Sequence, residues 1–143
     1  MFQLSSDPIE ESKLRLLLQN PLAGALVVFE GWVRNHNEGK VVTLLEYEAY
    51  QNLAVAEAQK ILLSAKQKFS FFQVVCVHRV GKLNIGDTAV WVGVNSAHRD
   101  DAFLSARYII DEIKMRLPIW KKEYYENGDS GWVNCEACSL HKH

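Results

Sequence analysis

Pro118 interrupts the most regular helical pattern in the chain. From Asp100 to Leu117, apolar residues recur at Phe103, Ala106, Ile110, Ile113 and Leu117. Those alternating steps of three and four make a single stripe along one helix. Asp100 and Asp101 fall in the first turn, where the positive end of the helix dipole favours them. Pro118 disfavours helical geometry at Leu117, so the helix stops there. The next segment, Ile119-Trp-Lys-Lys-Glu123, is forced into another direction.

Other elements can be read around this helix. Pro8 to Asn20 reads as a short helix carrying Ile9, Leu14, Leu17 and Leu18, stopped at Asn20-Pro21. Ala25 to Arg34 is apolar on both faces, so a central strand is expected. Asn35 to Gly39 is rich in turn residues. Val41 to Tyr50 alternates, with Glu46 and Glu48 on one face and Leu45 and Tyr47 on the other. Gln51 to Phe69 reads as a helix turning Ala54, Ala58, Ile61, Leu62 and Ala65 inward. Phe71 to Val80 and Thr88 to Asn95 read as strands, joined antiparallel through a loose Gly81–Asp87 connection. Beyond Pro118, a Glu126–Gly131 turn separates two short strands. The order indicates an α+β fold with a mostly antiparallel sheet.

The 143 residues suit a single domain spanning 1–143, with 134–143 as a mobile tail. The 16 Lys+Arg nearly balance 17 Asp+Glu, which argues against general attraction to nucleic acid or membrane. No apolar run approaches the ~18 residues of a membrane span, and no signal peptide is visible at the N-terminus. Three cysteines, Cys76, Cys135 and Cys138, are an odd number. They point to a reducing cytosol rather than a disulfide framework.

Against that balanced charge, two local groups of cations stand out. His98 and Arg99 lie between a strand end and a helix start, where free N–H groups and the dipole favour an anion. The plainer reading is a polar loop with a solvated arginine. Lys114 sits in the last turn of the long helix, and Lys121 follows the proline. A turn at Pro118 can bring both amines to one pocket. There each depresses the other's pKa, favouring a neutral amine that accepts a proton or attacks a carbonyl. The plainer reading is a helix C-terminus decorated with cations. Trp120 is either a stacking wall or a core residue. Arg34 ends a strand, and its planar fork suits a phosphate. His78 alternates with apolar neighbours and reads as structural. Cys135 and Cys138 with His141 and His143 have a zinc-like spacing but lack a second structured ligand arm, so no metal site is expected. No glycine-rich nucleotide fingerprint is present.

Taken together, several segments resemble one family, the large catalytic subunit of molybdopterin synthase (the MoaE family). They are Gly24–Gly31 running into Val33-Arg-Asn-His-Asn37, Leu45-Glu-Tyr47, Val77-His-Arg-Val-Gly-Lys-Leu83, Val92–Arg99 with its Ser96-Ala-His98-Arg99, and Lys114–Glu123 with its Pro118-Ile-Trp120-Lys121. The segments cover about residues 22 to 133, and their joint occurrence is specific. The resemblance implies an α/β-hammerhead fold with an added antiparallel subdomain. It also implies a reaction: sulfur passes from the C-terminal thiocarboxylate of a small ubiquitin-like subunit to cyclic pyranopterin monophosphate, forming the dithiolene of molybdopterin. A cytoplasmic heterotetramer is implied, built on a central homodimer of large subunits, with no cofactor. By the same resemblance, Arg34, His98 and Arg99 hold the substrate, with Trp32 and Val33 bordering them. Lys114 meets the partner's glycine tail, Lys121 completes the pocket, and Lys122 and Glu123 stand at its edge.

Two other readings compete with this one. The first is a non-catalytic module that binds a phosphorylated small molecule or a ubiquitin-like tail. The second is a small zinc domain built on the C-terminal cysteines.

Overall fold

A computed structural model describes residues 1–135 of the chain. Two sheets and three helices form the α+β architecture expected from the sequence. The first sheet runs β1 (Phe2–Ser5), β5 (Gln73–Arg79), β7 (Thr88–Ser96), β2 (Ala25–Trp32). Within it only β1 and β5 are parallel; β5–β7 and β7–β2 are antiparallel. The second sheet runs β10 (Val133–Asn134), β8 (Ile119–Tyr125), β4 (Lys40–Ala49), β3 (His36–Asn37). Two further short strands join it: β6 (Gly81–Leu83) pairs with β4, and β9 (Gly128–Asp129) pairs with β8.

The helices cover the first sheet on both faces. α2 (Gln51–Lys68) buries Ala54, Ala58, Ile61 and Ala65, and Leu62 packs partly buried beside them. Alanines at a spacing of four let α3 (Arg99–Arg116) approach closely. α3 buries Ala102, Ala106, Ile109, Ile110 and Ile113. Phe103, expected in that stripe, is 59% exposed. At about 100° per residue it falls roughly 20° past Ile110, just outside the buried arc, which is centred on Ile113. On the other face, α1 (Glu11–Leu17) carries Leu14, which packs with Leu18 and Ile9 against Val75, Val77 and Trp91. Leu18 is buried and Leu17 is exposed, so only one of the two leucines belongs to the core.

Three further expectations change. β2 is an edge strand, although its sequence reads as central. Val27 packs into the main core and Val28 into the Trp91 cluster, so its apolar run records two covered faces and not two hydrogen-bonded neighbours. Gly81–Leu83 is not a loose connection: it crosses to the second sheet and pairs with Leu45–Tyr47. The C-terminal tail does not start at residue 134, because Asn134 pairs with Trp120 and Cys135 is buried. No helix among the described residues is long and apolar enough to cross a membrane.

Candidate active site

Pro118 sets the local geometry. The C-cap residue Leu117 is extended (φ −75°, ψ 137°), and β8 starts two residues later opposite Ala49. Leu117 and Ile119 are both buried and anchor the reversal from each side of the proline. Lys114, in the last turn of α3, and Lys121, early in β8, are thereby held on either side of one corner. Both are half-buried.

Strand periodicity then sorts the residues of β8. Ile119, Lys121 and Glu123 share the inner face; Trp120, Lys122 and Tyr124 share the outer one. Lys121 lies directly opposite Tyr47 of β4. Tyr47 is buried and meets the His78 ring edge to face, with centroids 5.0 Å apart. The His78 Nδ1–H donates to the Arg79 carbonyl at 2.7 Å, which leaves Nε2 as the unprotonated nitrogen. Burial first, and the Lys114 charge second, hold the His78 pKa down at about 3. The corner therefore contains a neutral imidazole within the field of a lysine ammonium. Lys121 opposite Tyr47, Tyr47 against His78, and His78 in the field of Lys114 link the four residues in series across the two sheets.

A second arm reaches the same strand. Arg34 is exposed past the end of β2 and donates to Asn37 Oδ1 at 3.3 Å. Asn37 Nδ2 donates to Glu123 Oε1 at 2.9 Å. Val33, beside Arg34, is buried in the core; its N–H donates to Asp87 and its carbonyl accepts from Gly86. Trp32, on its other side, is 68% exposed.

Other residues read from the sequence lie elsewhere. Lys122 faces outward, 3.8 Å from Asp129 and over the rings of Tyr124 and Trp132. Trp120 is also outward, edge-on to Tyr50, so it does not stand between the two lysines. His98 and Arg99 are exposed at the N-terminus of α3. Fifteen residues separate Arg99 from Lys114, about 22 Å at 1.5 Å per residue. One chain therefore does not bring the two cation groups together.

Sequence reasoning missed Tyr47 and Asn37 as parts of this region. Tyr47 carried a signal, being an inward tyrosine flanked by two glutamates. Asn37 carried a weaker one, standing just before a Glu38-Gly39 turn. A cavity of about 330 Å³ lined by Leu4, Ser6, Tyr47, Glu48, Gln51 and Val80 shares Tyr47 with the lysine group. A wider apolar groove of about 710 Å³ lies away from it, between Met1, Leu17, Leu63 and Phe72. Its Lys66 ammonium is held by the carbonyls of Phe71 and Phe72, and the Met1 α-ammonium by the Val74 carbonyl. Among the described residues no three metal-ligating side chains converge. Cys138, His141 and His143, from the zinc-like spacing, lie outside the described residues.

Comparison with known proteins gives a consistent result. The chain is 44% identical over 115 residues to the molybdopterin synthase catalytic subunit of Thermoplasma volcanium, covering 80% of this chain and 84% of that one. It is 41% identical over 136 residues to the molybdopterin synthase catalytic subunit of Synechococcus elongatus, covering 93% and 82%. The crystal structure of molybdopterin synthase from Staphylococcus aureus superposes with a TM-score of 0.87 at 39% identity, covering 92% of this chain and 96% of that one. A protein–protein complex of subunits 1 and 2 of molybdopterin-converting factor from Helicobacter pylori, 21% identical with a TM-score of 0.74, shares the fold. The model of the MoaE protein family matches residues 4–116, and the chain belongs to that family.

Proposed function

We propose that this chain is the catalytic subunit of a molybdopterin synthase, an enzyme of molybdenum cofactor biosynthesis. It transfers sulfur from the C-terminal thiocarboxylate of a small ubiquitin-like subunit to cyclic pyranopterin monophosphate. The observation that carries this reading is the Tyr47–His78 contact, with Lys121 opposite Tyr47 and the Lys114 charge acting on His78, in a chain of the MoaE family. Opening a cyclic phosphate and releasing a carboxylate both develop negative charge. Half-buried ammonium groups held in place beforehand stabilise that charge better than water does. Lys114 meets the partner's tail and assists thiocarboxylate attack, as a base or as a charge stabiliser. Lys121 completes the pocket, and Arg34 holds the phosphate. Val33, packed in the core, and Trp32 direct the chain into Arg34. Lys122 is at the pocket's back, on the far face of the strand.

His98 and Arg99 belong to this site through a second copy of the chain. The ~22 Å along α3 exceeds the reach of one small substrate. β2 is an unpaired edge with Leu26, Phe29 and Trp32 exposed, and α3 adds exposed Phe103 and Leu104 beside it. Two such edges joined antiparallel about a two-fold axis set Ala25 of one copy near Trp32 of the other. Ala25 pairs with Ser96, next to His98 and Arg99, while Trp32 leads to Arg34. The homodimer thus unites what one chain separates. The small subunits complete a heterotetramer, which works in the cytosol.

The test supplies wild-type chain with thiocarboxylated small subunit and cyclic pyranopterin monophosphate. Dithiolene product supports the reading. Tight binding of substrate or partner with no product points instead to a non-catalytic binding module.

A further inference from the structure

Glu123 is an unusual neighbour for a phosphate site. It is only 8% exposed, and no cation pairs with it among the described residues. A carboxylate in direct contact with a phosphate would repel it. Its hydrogen bonds give it a different task. Oε1 accepts from Asn37 Nδ2 at 2.9 Å and from the Tyr125 hydroxyl at 3.2 Å. Its backbone is pinned as well: Glu123 N–H donates to Ser130 Oγ, and its carbonyl accepts from Ser130 N–H, both at 2.9 Å. Asn37 is equally constrained. It pairs with Lys40 across Glu38 (φ 50°) and Gly39 (φ 79°). Positive φ at both central residues is the geometry of a tight two-residue hairpin turn. The amide is thus held from both sides, with Nδ2 on Glu123 and Oδ1 on the Arg34 guanidinium at 3.3 Å.

We propose that Asn37 and Glu123 are positioning residues that aim Arg34 at the substrate's anionic group, Glu123 acting through Asn37 and not on the substrate. The inference rests on the reading of Arg34 as the anion holder. An exposed arginine samples many rotamers, and ordering it on binding costs affinity. A braced guanidinium has met that cost before the ligand arrives. The amide also relays the carboxylate's influence without presenting a negative charge to the phosphate. Loss of the brace therefore acts on binding, with little effect on the chemical step.

Two readouts separate this inference from the sulfur-transfer reading: steady-state turnover with the thiocarboxylated partner, and the dissociation constant for inorganic phosphate by calorimetry. Asn37→Ala and Glu123→Ala each raise KM and the phosphate Kd about tenfold, with kcat changed less than about threefold, as for loss of a hydrogen bond to a charged group. The double variant is no worse than either single one, because the two residues act in series. Glu123→Gln, which keeps an acceptor oxygen, recovers most of the loss. Circular dichroism checks folding, and Glu123→Gln with Asn37→Ala carries the comparison if Glu123→Ala does not fold. Additive losses, or a Glu123→Gln defect as large as that of Glu123→Ala, overturn the inference. So does an unchanged KM in Asn37→Ala. If wild type makes no product, the sulfur-transfer reading fails and phosphate affinity decides the brace: weaker in Asn37→Ala upholds it, equal or absent in both overturns it.

Discussion

Tyr47 and His78 meet edge to face, 5.0 Å between ring centroids, where the two sheets come together. Tyr47 belongs to β4 and lies opposite Lys121. His78 belongs to β5 and lies in the field of Lys114. The contact is the link between two lysines that sit on different elements. Its rigidity comes from burial of both rings and from the bond between His78 Nδ1–H and the Arg79 carbonyl.

His78 makes folding sensitive to acid. Its folded pKa is lowered from 6.5 to about 3, mainly by burial. The unfolded chain takes up this proton below about pH 6.5, and the folded chain does so only near 3. The stabilisation is complete above pH 6.5 and is lost steadily as pH falls from there toward 3. Thermal melts of wild type should show Tm dropping across that window. His78→Gln, which carries no proton to gain, should show a flatter acid limb. Equal slopes would remove His78 from the account.

The proposal that two copies share the site makes a complementation prediction. Arg99→Ala and Lys114→Ala should each be inactive alone. Co-expressed at equal levels, they should recover about a quarter of wild-type activity: half of the dimers are mixed, and each mixed dimer holds one intact site. Activity no higher than the mean of the two variants would mean that His98 and Arg99 serve no neighbouring site.

Cys76 is buried, and burial pushes its thiol up to about 12. A thiol so protonated is a poor nucleophile. Sulfur in this account comes from the partner, so the thiol is not needed. Maleimide should leave Cys76 unlabelled in the folded chain and label it after denaturation. Cys76→Ala should keep sulfur transfer. A fast reaction at Cys76 under native conditions would contradict both its burial and its inertness.

Gly93 is a packing constraint in the Trp91 cluster, on the α1 face of the first sheet. A Cβ there would lie 2.5 Å from both Leu18 Cδ1 and the Trp91 ring. Trp91 is fully buried, so the ring has little room to give way. Gly93→Ala should destabilise the fold by about 1–3 kcal/mol, read from urea denaturation. A change within experimental error would show that α1 and Trp91 adjust freely.

The long helix, its proline stop and the alternation in β4 were legible because each is a local pattern. Ile113 and Leu117 are buried, and Glu48 faces away from Tyr47, as periodicity requires. β2 misled because an apolar run reports which faces are covered and says nothing of strand neighbours. β1 went unread because four residues carry too little pattern, and its pairing with β5 is non-local. Pro118 alone predicts that Lys114 closes the helix and that Lys121 falls in the segment beyond it, which is β8. The outward turn of Lys122 also followed from alternation beside Lys121, but only once residues 119–125 are known to be a strand. The separation of Arg99 from Lys114 is helix arithmetic. The Tyr47–His78 link and the Asn37–Glu123 bond were not legible, since residues 31 and 86 positions apart meet only in the folded chain.

Single-turnover dithiolene formation by wild type, Lys114→Arg and Lys121→Arg, with thiocarboxylated small subunit in excess and folding checked by circular dichroism, tests whether a lysine amine takes part in the chemistry. Arginine keeps the positive charge but cannot serve as an amine base. Wild type should yield product, and folded Lys114→Arg should lose about 10²–10⁴-fold in rate, the range for a general base. Wild-type rates in both arginine variants would show that charge alone suffices and that no lysine amine takes part in the chemistry.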